Sequence, residues 1–542
     1  MTTKDRSDKV YGVDLGTTNS AIAHLDEFGR PTIINNTEGM PTTPSAVLYE
    51  NEEIVVGQQA KYAPEKTAKA LLFKRSMGST EPRDLDGQEF TPEELSAFVL
   101  QKLVKDANGL TRSHARKVVI SVPAYFGQLE KNATRQAGEI ADLEVIGIVA
   151  EPVAAALGYF ADRNVATTAL VYDLGGGTFD VTVLRAYGDT RPLEVLVTDG
   201  NQELGGADWD LRLKQLLAEK IQQQLTTNAI SVEDVFADGD FWEDTAIECE
   251  RVKSVLSQRL EASVRLMCQG KRFTVSVTRA EFEDSTSDLL AATMDTTIRV
   301  LDNLRQLHGN MGIDEVLLVG GSTRMPAVET ALRLQFPETK IWSTDQDLVV
   351  AKGAAVYASA LEVDVATQRA MRDTDDASDI VTQKDERPLY LASTQRVVRN
   401  VLSRGLGLLV VDDRDEEYIS FIAAQNEQLP IVEREIYLQV AQDDTTAVRF
   451  ELFEQRTPNE SPDREDNSEI TPENAEFAGL PGLPKGSPIH ALLSIDNEGK
   501  VEITAREPAS DKELSLTVDI SVMQADDVAR LKARVARLQI RD

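Results

Sequence analysis

An α/β first part followed by an antiparallel β domain is the fold class this sequence predicts, and three observations predict it. Between Lys9 and Val363, short runs rich in β-branched residues alternate with helical patterns, the order that produces covered sheets with helices on their faces. After Leu389, strand-like runs succeed one another through short polar turns, as in a compact antiparallel domain. The 542 residues also exceed what a single hydrophobic core serves, so at least two domains are expected.

Taken in order, the first strands are VYGVDL, AIAHL, KVVISV, EVIGIV, ALVYDL, VTVLRA and EVLLVG, each bounded by Gly, Asp or Pro. TPEELSAFVLQKLVKDA (91–107) predicts a helix, with Thr91 as N-cap and Pro92 in the first turn. Residues 364–388 are charged and without apolar period, which predicts a linker or insert. GLGLLVV, EYISFIA, REIYLQVA, AVRFELF, IHALLSI, KVEITA and LSLTVDISV then supply the β domain. Within it, the acidic, proline-containing tract 454–477 predicts a long disordered loop. The tail VARLKARVARLQI spaces Val528, Leu531, Val535 and Leu538 as one apolar helical stripe, expected to pack against the β domain. The resulting division is 1–363, 364–400, 401–523 and 524–542.

A formal charge of −33 leaves no broad cationic face for tracking nucleic-acid phosphates. No run approaches the length of a membrane span, and the polar MTTKDRSDK start shows no secretory h-region. Cys249 and Cys268 suit buried thiols in a reducing compartment. Neither a nucleic acid nor a membrane is expected as partner, and the expected location is cytoplasmic.

Chemistry concentrates in two matching stretches, VYGVDLGTTNSAIAHL (10–25) and VYDLGGGTFDVTVL (171–184). Each reads strand, Asp-Leu-Gly, hydroxyl residues, strand, with the Asp-Leu-Gly opening at Asp14 and Asp173. One glycine turn alone fits a ligand-free hairpin. A matched pair fits a phosphate clamp, because glycine lets backbone N–H groups converge on an anion without a Cβ in the way. Thr17, Thr18 and Thr178 add hydroxyl donors, and the aspartates can hold hydrated Mg²⁺. Two further Gly-Gly elements, LGGADWD (204–210) and VGGSTRMP (319–326), and the lack of a Walker GxxxxGK[ST] point to a nucleotide site of another kind.

In this order, VDLGTTNS, FKRSMGS, VISVPAYF, ATRQAGEIADL, AEPVAAALGY, DLGGGTFDV, LGGADWD, ECERVKSVLS and LVGGSTRMP resemble the seventy-kilodalton heat-shock chaperones of the DnaK type over residues 9–360. The resemblance implies an actin-like ATPase domain of two lobes, followed by a mainly antiparallel β-sandwich that grips an extended apolar peptide. It implies ATP and ADP as nucleotides, Mg²⁺, and K⁺ as a further ion. By the same carry-over, Asp14 and Asp173 organise the metal, with Asp180 serving K⁺ or water. Gly16, Thr17, Thr18, Asn19, Gly175, Gly176, Gly177 and Thr178 cradle the β- and γ-phosphates. Lys74 reaches the γ-phosphate and Glu151 positions the attacking water. Gly205 and Gly206 lie near the ribose, with Glu250, Lys253 and Ser257 near the adenosine. Gly320, Gly321, Ser322, Arg324 and Asp347 close the base pocket.

This chain departs from the family pattern at Ser254, where an arginine is usual, at EPV after Glu151, and around Asp347. Leu438, Ala441 and Val448 align with the peptide cleft and equally suit ordinary sandwich core. At the linker the chain reads RVVRN (396–400) instead of a strongly apolar run, and one short helix stands where relatives carry a helical lid. Partners implied are unfolded client polypeptides, a J-domain co-chaperone and a nucleotide-exchange factor. Two other classes stay open at this point: a non-cycling ATP-binding regulator of a longer chaperone, and a sugar kinase of the same superfold.

Overall fold

The computed structural model describes residues 9–64, 67–79, 81–160, 163, 165–189, 191–225, 230–343, 345–373, 398–412, 414–472, 475–508, 512–518, 523 and 525–541. Most of the acidic insert, 374–397, lies outside the described residues.

Two sheets with one plan organise the first part. In the first, the order is Glu144–Ala150, Lys117–Val122, Val10–Asp14, Asn19–Leu25, Pro31–Ile33. In the second it is Lys340–Trp342, Glu315–Val319, Ala166–Leu174, Phe179–Tyr187, Leu193–Asn201. Each runs parallel, parallel, antiparallel, antiparallel across its four pairings. Repetition of order and direction makes the two lobes copies of one unit, and each glycine hairpin joins the same two strands of its own sheet.

Local chemistry sets the helices. Thr91 accepts from the Glu94 N–H while Glu94 Oε2 accepts from the Thr91 N–H, a capping box that starts Pro92–Thr111. Between the lobes, helices Glu151–Phe160 and Val349–Asp373 cross closely. Gly353 permits it, because a Cβ there would stand 1.6 Å from Ala154 O. Apolar side chains of this crossing, including Val153, Ala154, Val350 and Ala354, form a core shared by both lobes.

The later strands build an antiparallel sandwich. One sheet is Glu417–Ala423, Leu406–Val411, Leu452–Gln455, Asn467–Glu469, and the other is Ile431–Gln439, Pro488–Ile495, Val501–Glu507, Lys512–Val518. Thr445–Arg449 pairs separately with Glu476–Leu483. AVRFELF is therefore two strands, divided at buried Phe450.

Two expectations are corrected. Residues 454–477 form no long disordered loop: the described part holds a short 3₁₀ turn and the strand Asn467–Glu469, with Gln455 and Asn467 buried and hydrogen-bonded. At the linker, Val398–Arg399 adds in parallel to the edge strand Leu193–Asn201, with Val398 buried. Finally, the C-terminal helix Ala525–Arg537 packs not on the sandwich but on helices Pro92–Thr111 and Gln128–Ile140 of the first lobe. Its Leu531 and Val535 join that lobe's core. Arg534 pairs with buried Glu94 at 3.2 Å, Lys532 with Asp142 at 2.6 Å, and Ile540–Arg541 extends the strand Glu53–Val56. Apolar spacing showed that one face is covered. It carried no information on the covering surface.

Candidate functional site

A cleft of about 830 Å³ separates the lobes. Thr17, Thr18 and Asn19 line it from the first hairpin, Gly176 from the second, and Gly206, Glu250, Lys253, Ser257, Gly321, Ser322, Arg324 and Asp347 from the second lobe. Most residues predicted for nucleotide contact are thus brought to one cavity from widely separated places in the chain.

Hydroxyls fasten the first hairpin. Gly16 N–H donates to Ser20 Oγ at 3.1 Å, and Ser45 Oγ donates to Gly16 O at 2.6 Å. The second hairpin is fixed through its carbonyls. Gly175 O accepts from Gly206 N–H at 3.0 Å and from Ser322 Oγ at 2.9 Å, Gly176 O from Ala207 N–H at 2.8 Å, and Gly177 O from Arg75 Nε at 2.7 Å. Among the described residues, the N–H groups of Thr17, Thr18, Gly176 and Gly177 have no protein acceptor. Two loops whose carbonyls are engaged and whose tip amides, those of Thr17, Thr18, Gly176 and Gly177, are unused form an anion-binding concavity.

The glycines also answer to protein. A Cβ on Gly176 would stand 2.2 Å from Thr18 Oγ1, and one on Gly177 2.3 Å from Thr17 Cγ2. The opposing hairpin itself thus occupies the space that a side chain at these two glycines would need. Gly205 is part of the same contact, its Cβ position lying 2.5 Å from Gly177 C, while Gly320 N–H donates to Gln346 O at 2.9 Å.

Beneath the hairpins lie four carboxylates and one ammonium. Lys74, in the 3₁₀ turn Phe73–Ser76, pairs with Glu151 at 2.6 Å, and both side chains are almost wholly buried. Glu151 opens the helix Glu151–Phe160, where a carboxylate suits the positive end. Asp14 accepts from Ser121 Oγ at 2.8 Å, and Asp180 from the Tyr125 N–H at 3.3 Å. Burial, and then the negative charge of Glu151, push Asp14 up to about 7. Asp173 is raised well above the usual range by burial, Glu151, Asp180 and Asp14, and Asp180 by burial and Glu151. Asp180 Oδ2 is buried without a partner. Such a set holds excess negative charge that a divalent cation would relieve. Among the described residues no three acidic, histidine or cysteine side chains are grouped to ligate one ion directly, so these aspartates suit a cation held through its waters.

At the outer end, Lys253 bonds Asp210 at 2.7 Å and Gly206 O at 2.8 Å, and Arg324 bonds Asp347 at 2.6 Å. Lys61 of the first lobe pairs with Glu250 of the second at 2.6 Å across the cleft. Sequence reasoning missed Lys61, Asp210 and the Arg75–Asp208 pair at 2.6 Å. For Arg75 the signal was available beside Lys74 in FKRSMG. For Lys61 none was, because its partner lies far along the chain.

Comparison with known proteins decides the affiliation. The profile of the family described as Hsp70 protein matches residues 10–84 and 82–375. The proteins named Chaperone protein DnaK of Thermotoga neapolitana and of Thermotoga petrophila are each 34% identical over 553 residues, covering 99% of this chain and 85% of theirs. That of Thermotoga maritima matches with the same identity and coverage.

The chain belongs to the Hsp70 family.

Its class is therefore the ATP-dependent, ATP-hydrolysing chaperones, and its fold is the family's actin-like ATPase followed by a strand-rich domain. Use of nucleotide with Mg²⁺ and binding of client polypeptides are general to such Hsp70 proteins. No helix among the described residues is long and apolar enough to cross a membrane. In the sandwich, Leu438 and Val448 lie half-buried against its core, opposite Ile489 and Phe477, while Ala441 sits in the turn between their strands.

The sandwich rests on the ATPase lobes. Ser403 Oγ donates to Phe126 O at 3.0 Å, Arg404 Nε to Tyr125 O at 3.1 Å, and Thr198 N–H to Asn426 Oδ1 at 2.8 Å. Arg404 pairs with Glu130 at 2.9 Å and lies 3.8 Å from Glu454, whose other oxygen accepts from the Gln128 N–H at 2.9 Å.

Proposed function

We propose that this Hsp70 chain hydrolyses ATP between its two glycine hairpins and uses the nucleotide state to set its grip on extended apolar segments of client proteins. The observation that carries this reading is the pair of facing hairpins with unused amides above a buried, acid-rich floor.

In this reading the amides of Thr17, Thr18, Gly176 and Gly177, with Thr178 Oγ1 and Asn19, hold the β- and γ-phosphates. Asp14 and Asp173 hold hydrated Mg²⁺, which when bound neutralises phosphate charge. Lys74 offsets the charge that spreads over the γ-phosphoryl oxygens in the transition state. Glu151 accepts a hydrogen bond from the attacking water and aims it at the γ-phosphorus. Asp180 serves K⁺ or an ordered water. Gly205 and Gly206 approach the ribose, Glu250, Lys253 and Ser257 the adenosine, and Gly320, Gly321, Ser322, Arg324 and Asp347 the base. Leu438, Ala441 and Val448 line the peptide cleft, where backbone pairing gives affinity and a pocket gives selectivity.

A J-domain protein and a nucleotide-exchange factor are the proposed co-chaperones, in the cytoplasm. Peptide affinity measured first with ATP and then with ADP tests the whole reading. Coupling predicts weaker, faster-exchanging peptide with ATP, and equal affinity in the two states would overturn it.

A further inference from the structure

A second cavity, of about 340 Å³, lies where the ATPase lobes, the linker and the sandwich meet. It is separate in its lining from the nucleotide cleft: no residue borders both. Its volume falls in the range of small-molecule sites. Its apolar lining comes from Val122, Ile148, Val153 and Val195 of the lobes, with Val401 and Leu429. Its polar lining includes Lys131 and Arg135 of the helix Gln128–Ile140, beside the sandwich turn Asp496–Lys500.

We propose that this cavity binds a small amphipathic monocarboxylate, its apolar body against the valine wall and its carboxylate on Lys131.

The charges around Lys131 argue for this class. Arg135 is taken by Glu498 at 2.9 Å, and Arg404 by Glu130 at 2.9 Å. Glu454 accepts the Gln128 N–H, and Asp496 accepts the N–H groups of Glu498 and Lys500 at 2.9 Å each. Lys500 is exposed at the rim. The Lys131 ammonium has no carboxylate within ion-pair distance among the described residues. It stands beside the sandwich turn, 3.7 Å from where a Cβ on Gly499 would be. Burial depresses its pKa, which a carboxylate partner would reverse. A phosphate dianion fits poorly, because Glu130, Glu454, Glu498 and Asp496 all stand around one available cation. A neutral apolar molecule leaves the ammonium as it is.

The walls belong to three parts of the chain, so the cavity exists only while the sandwich is docked, and a ligand there favours docking by linkage. At ten times its Kd, one bound ligand raises the docked-to-undocked ratio about 11-fold. This inference does not depend on the catalytic roles proposed above.

The test is calorimetric titration of the full chain with hexanoate, with hexanol as the neutral match, while ATP turnover is followed in parallel. Saturable one-site binding of hexanoate is expected, with hexanol at least tenfold weaker. Lys131→Met should weaken hexanoate at least tenfold and leave hexanol unchanged. Val195→Phe, which adds bulk to the apolar lining, should abolish both. Hydrogen exchange of the Val398 and Arg399 amides should slow by up to the same 11-fold factor at ten times the Kd. Absence of saturable binding up to about 10 mM, equal binding of hexanoate and hexanol, or hexanoate affinity unchanged in Lys131→Met would each overturn the proposal. Loss of ATP turnover in the parent chain would instead count against the nucleotide reading alone.

Discussion

The two glycine hairpins occupy the same place in duplicated sheets, yet they are held in different ways. The first is secured within its own lobe: Ser20, Ser45 and Ser121 hold Gly16 and Asp14. A Cβ on Gly16 would meet the hairpin's own Asn19 O at 2.0 Å. The second depends on surroundings. Its three glycine carbonyls are held by Gly206, Ala207, Ser322 and Arg75, the last from the opposite lobe. Its glycines abut Thr17 and Thr18. Duplication preserved the backbone path, while the bonds diverged into one self-supporting jaw and one that registers where other parts of the molecule stand. Asp180, two residues past Thr178, extends this dependence, since it holds the Tyr125 N–H while Tyr125 O holds Arg404 of the sandwich.

The largest effect is expected at the floor both hairpins share. Lys74→Ala should lower single-turnover hydrolysis roughly 10²–10³-fold and leave ATP binding largely in place, because hairpin amides supply much of the phosphate grip. Hydrolysis at the parent rate would remove Lys74 from the mechanism. Next come the two aspartates. Asp14→Asn and Asp173→Asn should each weaken Mg²⁺ about 10–100-fold, read as the Mg²⁺ concentration needed for half-maximal turnover. Asp173 interacts with Asp14, Asp180 and Glu151 together, so its variant should show the larger change. Equal shifts would erase the asymmetry between the hairpins.

How far these features were legible in the sequence follows the range of the interaction concerned. The hairpins, the Thr91 cap and most strands were readable because their chemistry is local: an Asp-Leu-Gly between β-branched runs, or Thr91 followed by Pro92 at a helix start. The partner of a local feature was not. Arg75 lies beside Lys74 in sequence, but its acceptor Gly177 O is 102 residues away. Tract 454–477 looked unstructured because charge dominated its composition, yet Gln455 and Asn467 hydrogen-bond its turns into place. The tail helix had a clear apolar stripe that fitted two surfaces, and only tertiary complementarity, Arg534 to Glu94 above all, selects the first lobe.

A steric test separates the jaws more directly. Gly16→Ala places a methyl on backbone of the same turn, which no side-chain adjustment relieves, and should cost about 1–3 kcal/mol by thermal unfolding. Gly177→Ala should cost no more, because its obstacle is the Thr17 side chain, with the Cγ2 methyl nearest at 2.3 Å and Cβ and Oγ1 at 2.8 and 2.9 Å. Thr17→Ser removes that methyl and keeps the hydroxyl. The double variant should recover part of the loss at Gly177, since the nearest atom is gone while Cβ and Oγ1 remain, whereas Thr17→Ser should do nothing for Gly16→Ala. Recovery in both cases, or in neither, would mean that the two glycines answer to the same neighbour.

The smallest expected effect asks whether the second jaw senses the sandwich through Arg404. Glu454 is buried in the docked interface. Burial raises its pKa, Glu130 raises it further, and Arg404 partly opposes them. Glu498, also at this interface, is raised by burial despite Arg135. A carboxyl whose docked pKa lies above its undocked value takes up a proton on docking. Its contribution is thus complete below the undocked pKa and fades as pH climbs through the docked one. Docking should tighten as pH falls from neutrality toward the ordinary carboxylate range, read by hydrogen exchange at Val398 and Arg399. Glu454→Gln keeps an acceptor for the Gln128 N–H but cannot titrate, so it should flatten the part of the profile that Glu498 does not supply. If the profile is unchanged in Glu454→Gln, the route from Asp180 through Tyr125 and Arg404 to the sandwich does not end at this carboxyl.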